Sequence, residues 1–365
     1  MIIGIDASNI RTGGGKKHLD IFIRNTISFY SDVEIILVSN ESIISSYKSL
    51  NKVKCISNPL LNFSNLSAFL SQLFFSKKYF KKNKCDIVFV PGGIFISSFK
   101  PYISMSQNML PFSQKALNNF SFIGRIKFNI IGFFQILTFK RSNGIIFLNQ
   151  FAKDIISAKL SSKIKYKIIP HGINQEQNIQ FNYSHDKFNI LYVSDFLPYK
   201  HQLNVIKSVK ELIQEGHNLK LTLIGRIKEK YLKKIKKEIP ENLLKEKKIE
   251  ILGFVPNEKI LKFYRESSLK IFASTCENLP FVLLEAMSFG MPIITSNERP
   301  MKDMIYGEDV LFDSHNIQSI KSTILNNMNP EKLEIMSSKN YQLSKNYSWK
   351  NNVDQTIEFL KSCAN

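Results

Sequence analysis

The 365-residue chain is poor in cysteine, and its four cysteines, Cys55, Cys85, Cys276 and Cys363, show neither a pairing pattern nor a metal-ligand spacing. That excludes a disulfide-framed scaffold or a cysteine zinc site and reads as reduced thiols of a cytosolic protein. No run of eighteen or more uncharged apolar residues occurs, so a transmembrane helix is not expected. The opening MIIGIDAS reads as a strand and lacks a basic stretch and cleavage site, so no signal peptide is indicated. Neither a G-x-G-x-x-G fingerprint in the first turn nor a G-x-x-x-x-G-K-[ST] phosphate loop is present. Acidic residues are scarce as well: 30 Asp plus Glu against 50 Lys plus Arg leave a net charge of +20.

What is there is globular. A hydrophobic content of 44% with 22% charged residues is incompatible with disorder, and the length suits two domains of ordinary size. The positive charge fits a polyanionic partner such as nucleic acid, anionic lipid or a phosphorylated substrate. A general drift of the composition toward lysine accounts for it equally well.

Short runs rich in Val, Ile and Phe alternate with helical patterns. In the first half IIGIDAS, VEIILVSN, VKCIS, CDIVFVPGG, YISMSQNM and GIIFLNQ read as strands. Helices are expected near 16–30, 65–82, 117–139 and 151–160. KIIPHGI closes this half, and the polar NQEQNIQFNYSHDK that follows is the best linker candidate. The pattern restarts with FNILYVSDF, LKLTLIGR, IEILGFVP, LKIFAST and PIITS, with helices near 201–215, 229–238, 258–267 and 279–289. Fully apolar strands alternating with helices predict parallel sheets covered on both faces. The expected organisation is an α/β domain over 1–175, a second over 186–345, and a C-terminal segment, 346–365, packing back on the first. Ligands of such sheets bind at the carboxyl ends of the strands, so the cleft between two facing domains is the expected site.

The most informative stretch is CENLPFVLLEAMSFGMPIITS, residues 276–296. Glu277 stands ahead of an apolar helix and Glu285 lies inside it, with seven residues between them. Asn278 suits the cap and Pro280 the first turn, while Gly290 ends the helix and Pro292 opens a strand. A helix mouth of this kind offers N–H groups and a positive dipole end to an anion such as a diphosphate. Two carboxylates there could form a metal pair, an acid/base pair, or acceptors for sugar hydroxyls. With no His or third carboxylate nearby, the metal is the weakest of the three. An acid favoured by the helix dipole explains Glu277 but not Glu285 in its apolar setting. Elsewhere, Gly13, Gly14 and Gly15 follow strand one and permit a close backbone approach, although a tight turn alone would account for them. Lys200, after VSDFLPY, sits where a cation would meet a diphosphate, and Arg226 ends another strand.

Together these residues resemble the E-x7-E signature of retaining glycosyltransferases of the GT-B fold, family four. The glycine turn, QNMLPF at 107–112, PHGI at 170–173, YKHQ at 199–202 and the late Ser-Trp pair extend the resemblance over most of the chain. The opening and QNMLPF look most like the bacterial branch that builds surface polysaccharides. The resemblance implies two facing Rossmann-like domains and the transfer of a sugar from a nucleotide-diphosphate donor to a growing glycan such as O-antigen or capsule. It implies that Glu277 stabilises charge at the donor's anomeric carbon and that Glu285 holds the ribose hydroxyls. Asn278, Leu279, Pro280 and Phe281 would line the donor sugar and distal phosphate. Lys200 is the diphosphate lysine, Gly14 and Gly15 close onto the phosphates, and Asn108 contacts the acceptor. Relatives often carry a basic residue where Asp195 stands, so Arg226 or Arg11 would have to supply that cation.

No metal and no cofactor are expected, in keeping with the lack of a D-x-D motif. Two aromatic and basic segments, 66–84 and 118–141, suit an anionic membrane surface and a lipid-linked acceptor, and they also suit core helices. The expected location is cytoplasmic, peripheral to the inner face of the membrane. A nucleotide-sugar epimerase on the same fold, or a non-catalytic basic scaffold binding membrane or nucleic acid, are the competing readings. No nucleic-acid motif supports the last of these.

Overall fold

The computed structural model describes residues 1–160, 164–175 and 188–364, so most of the expected linker lies outside the described residues. Two compact units emerge, one built from 1–117, 121–172 and 347–365 and the other from 118–120 and 173–346.

The first unit holds seven strands: β1 (Ile2–Asp6), β2 (Glu34–Val38), β3 (Val53–Ile56), β4 (Ile87–Val90), β5 (Tyr102–Ser106), β6 (Gly144–Phe147) and β7 (Tyr166–Ile168). They form one parallel sheet in the order β3-β2-β1-β4-β5-β6-β7. The second unit holds β8 (Phe188–Val193), β9 (Leu219–Ile224), β10 (Ile249–Gly253), β11 (Leu269–Phe272), β12 (Ile293–Ser296) and β13 (Leu311–Phe312), parallel in the order β10-β9-β8-β11-β12-β13. Both orders reverse direction beside the first strand of the unit, as in doubly wound nucleotide-binding sheets. The central strands are buried on both faces, which is why they read as unbroken apolar runs.

In the first unit β1 ends on Asp6, whose carboxylate is fully buried. Its oxygens accept from Ser8 Oγ at 2.6 Å, Gln72 Nε2 at 3.0 Å and Ser76 Oγ at 3.1 Å. Burial raises its pKa, and the hydrogen bonds partly counter that rise. The expected 65–82 helix is helical throughout, but Gln72–Ser76 widens into a π turn, which swings Gln72 and Ser76 inward to reach Asp6. The C-terminal helix, Trp349–Ala364, lies against helix Gly13–Phe29, where Tyr30 donates to Asp354 Oδ1 at 2.7 Å. Trp349 meets two buried histidines of the same unit, its ring centroid 6.0 Å from that of His18 and 6.2 Å from that of His171.

Candidate functional site

The site takes shape at the carboxyl ends of the second unit's strands. Strands β8 and β11 are parallel neighbours, so the loops leaving them emerge side by side. The β8 loop runs through a short 3-10 turn, Pro198–Lys200, into helix Gln202–Gln214. The β11 loop runs through Cys276 and Glu277 into helix Phe281–Ser288. Thr275 N donates to Tyr199 O at 2.9 Å and His201 Nε2 lies 3.1 Å from Thr275 Oγ1, stitching the two loops together. Tyr192 OH donates to the Lys200 carbonyl from below. His201 has φ of 51°, a left-handed conformation uncommon for a residue with a side chain, and sits at the junction of turn and helix.

This arrangement brings Lys200 and Glu277 into a direct ion pair across 77 residues of sequence. Both side chains are largely buried, at 9% and 15% exposure. Ser274 Oγ also donates to Glu277 Oε1, at 2.6 Å, while Oε2 accepts nothing among the described residues. Lys200 Nζ rests 5.0 Å from the Phe272 ring centroid and 5.4 Å from that of Tyr199. The aromatic walls restrict water around the ammonium and strengthen its pull on an anion. Ser274 was not singled out from sequence, because a serine seven residues before an apolar helix carries no distinctive pattern.

Helix Phe281–Ser288 starts two residues later than expected. Pro280, its N-cap, keeps an extended backbone (φ −73°, ψ 113°), so Asn278 is not the cap but a buried residue of the preceding loop. Leu279 is also buried, and Phe281 opens the helix. Gly290, at φ 71°, ends the helix as its composition predicted, and Met291 N closes the turn onto Ala286 O at 2.9 Å. Glu285 is half-buried, and its charge acts on two fully buried neighbours, Tyr264 and Lys270.

Lys270, on β11, is the other feature that sequence reading missed. Among the described residues its Nζ has no hydrogen-bond partner, and it lies 5.2 Å from the Tyr264 ring centroid. Burial lowers its pKa to about 7, Glu285 pulling it back up and Lys200 pushing it further down.

Arg226 and Asp195 answer one another. Strands β8 and β9 pair in parallel, so their carboxyl ends place the two residues together. Asp195 Oδ2 accepts from Arg226 Nη2 at 2.6 Å and from Nε at 3.1 Å, and Asp195 Oδ1 accepts from the Arg226 backbone N at 3.0 Å. The carboxylate in the expected basic position thus carries its own arginine beside it.

The remaining expected residues lie in the first unit. Gly13, at φ 71°, leads helix Gly13–Phe29, and Gly14 is exposed in its first turn. Gly15 faces Gln107, whose Oε1 would stand 3.3 Å from an added Cβ. Asn108 is exposed after β5, its Oδ1 accepting from Leu110 N at 3.0 Å. Arg11 Nη2 reaches Ser64 O at 3.4 Å.

Two doubly wound parallel sheets are the architecture of the GT-B fold, and solved structures of this fold agree. HepE of Anabaena, solved with UDP and glucose, superposes with a TM-score of 0.72 at 17% identity, covering 99% of this chain and all of HepE. WaaG, a glycosyltransferase involved in lipopolysaccharide biosynthesis, gives 0.72 at 12% identity, covering 99% of each chain. Residues 174–343 match the family of glycosyl transferases group 1. Among curated relatives, the capsular polysaccharide biosynthesis glycosyltransferase CapH of Staphylococcus aureus is 28% identical over 228 residues, covering 60% of this chain and 62% of CapH. The O-antigen chain mannosyltransferase B of Escherichia coli is 28% identical over 114 residues, 31% of this chain and 30% of the relative. The matched stretches thus span less than two thirds of either curated relative.

Proposed function

We propose that the protein is a retaining, metal-independent hexosyltransferase that moves a sugar from a nucleotide-diphosphate donor to a growing surface polysaccharide, carried on a lipid-linked acceptor. The observation that carries this reading is the Lys200–Glu277 pair, braced by Ser274 just ahead of the helix that bears Glu285. Lys200 is a compact cation within reach of more than one anion. An arriving diphosphate would compete with Glu277 for it, and the helix dipole adds to the same positive field. As the bond to the leaving group breaks, negative charge grows on the diphosphate and positive charge on the anomeric carbon. Preorganised groups of both signs in a largely buried site stabilise that separation without reorganising. Glu277 Oε2 is the oxygen available to the sugar, and Glu285 the acceptor for ribose hydroxyls.

Support from similarity is consistent with this reading: HepE was solved with UDP and glucose, and the relatives act in capsule and O-antigen biosynthesis. The mannosyl relative makes mannose the first sugar to try. The test is a transfer assay with a panel of nucleotide sugars and membrane extract as acceptor, comparing wild type with Glu277→Gln. Transfer by wild type, falling by about a hundredfold or more in the variant, is expected. Transfer that survives a chelator and leaves the anomeric configuration unchanged supports the finer reading. Equal transfer by both chains would overturn the role of Glu277.

A further inference from the structure

Among the described residues, eleven of the eighteen large apolar side chains that stand exposed fall in two stretches of the first unit, 63–75 and 122–133. Helix Phe122–Arg141 carries Phe122, Ile126, Ile130 and Phe133 at helical spacing on one face, with Ile123 beside them, and Ile123 is 79% exposed. The other stretch presents Phe63, Leu66, Leu73 and Phe74. Phe69 and Phe134 meet edge-on, with centroids 4.7 Å apart, so the two stretches adjoin. Scattered exposed apolar residues need no explanation, but a concentration of this size marks a binding surface.

The charge along these two stretches has one sign. No acidic residue occurs from 42 to 85 or from 87 to 153. Lys77, Lys78, Lys81, Lys82 and Lys84 follow the first stretch, and Arg125 and Lys127 lie within the second, all exposed. A general excess of lysine would leave the acids interspersed, so compositional drift alone does not produce this pattern.

Helix Phe122–Arg141 is long and apolar enough to cross a membrane by length and composition, but its packing keeps it on the domain surface. Gly132 lies against Pro111, where an added Cβ would come within 3.1 Å. Thr138 Oγ1 accepts from Phe95 N at 2.9 Å, and Tyr102 OH donates to Thr138 O at 2.8 Å. The other stretch is pinned from inside by Gln72 and Ser76, which hold Asp6.

We propose that this face docks on an anionic lipid bilayer. The two helical stretches lie in the plane of the interface, with Phe and Ile side chains at the acyl boundary and the lysines among the headgroups. An uncharged apolar partner would gain nothing from the surrounding lysines, whereas an anionic surface is attracted at every one. This inference is independent of the catalytic reading, because binding to vesicles requires no donor.

The test is co-sedimentation of the full chain with phosphatidylcholine vesicles, with and without phosphatidylglycerol, across a salt series. Wild type is expected to sediment with anionic vesicles, to be released by salt, and to bind neutral vesicles weakly. Phe122→Ser/Ile123→Ser/Phe133→Ser is expected to lose about tenfold in binding at unchanged melting temperature, since the replaced side chains are exposed. Lys77→Gln/Lys78→Gln/Lys81→Gln/Lys82→Gln is expected to flatten the salt dependence, and Glu277→Gln to bind like wild type. Failure of wild type to bind anionic vesicles at any salt would overturn the proposal. So would a triple variant that binds like wild type, or a wild-type dimer in solution that the triple variant converts to monomer.

Discussion

Replacing Lys270 by methionine should stabilise the second unit, and the gain should depend on pH in a defined way. The lysine is fully buried on β11 with an unpartnered ammonium, and its pKa falls from 10.5 to about 7. A shift of that size corresponds to roughly 5 kcal/mol of strain on the charged form. That figure is already net of the attraction of Glu285. Local relaxation and water penetration reduce such penalties in real proteins, so the expected gain at pH 6 is about 2 kcal/mol, within the range seen when buried charges give way to apolar side chains of similar shape. The sign of the pH dependence follows from proton counting. Between about 7 and 10.5 the folded lysine is neutral while the unfolded one still holds its proton, so wild-type stability rises with pH across that window. The advantage of Lys270→Met should accordingly be constant below pH 7 and shrink as pH climbs toward 10.5. Urea unfolding of both chains at several pH values reads this directly, because titrations not coupled to Lys270 cancel in the difference. A variant that is less stable at pH 6, or a difference that ignores pH, would refute the reasoning.

Two further outcomes follow from buried groups and close backbone approaches. His18 is fully buried, with neither ring nitrogen finding a hydrogen-bond partner among the described residues, and burial lowers its pKa to about 4; His171 beside it is also depressed. Since the unfolded imidazole takes a proton near 6.5 and the folded one does not, stability should fall as pH drops from about 6.5 toward 4. His18→Leu should shallow that fall in acid-unfolding curves followed by circular dichroism. Gly225 sits at φ 153°, and a Cβ there would overlap the Ser194 carbonyl oxygen. Gly225→Ala should therefore cost about 3 kcal/mol in thermal unfolding and weaken the Asp195–Arg226 pairing beside it.

Much of the fold was legible because strands buried on both faces leave continuous Val, Ile and Phe runs, and all eleven strands read from sequence are present. The two that escaped are edge strands: β7, of three residues, was folded into the KIIPHGI run, and β13, of two residues, leaves no periodicity to read. The start of helix Phe281–Ser288 was misjudged because Asn278 has the chemistry of a cap, while Pro280 holds the chain extended for two more residues. Glu277, Glu285 and Lys200 were legible as a motif. That Lys200 and Glu277 touch follows from β8 and β11 being neighbours, which spacing along the chain does not reveal. The pairing of Asp195 with Arg226 depends in the same way on β8 and β9. Lys270 was hidden for a different reason: a lysine inside a strand run reads as a surface residue until both faces of the sheet are covered.

The central claim is that the second unit binds a nucleotide-diphosphate sugar through Lys200 and Glu285. Calorimetric titration of the full chain with UDP-, GDP- and dTDP-sugars, repeated with Lys200→Ala and Glu285→Ala, tests it most directly. One donor should bind wild type and lose about tenfold or more in affinity in each variant, with folding intact. Wild type that binds none of the donors, or variants that bind as tightly as wild type, would contradict it.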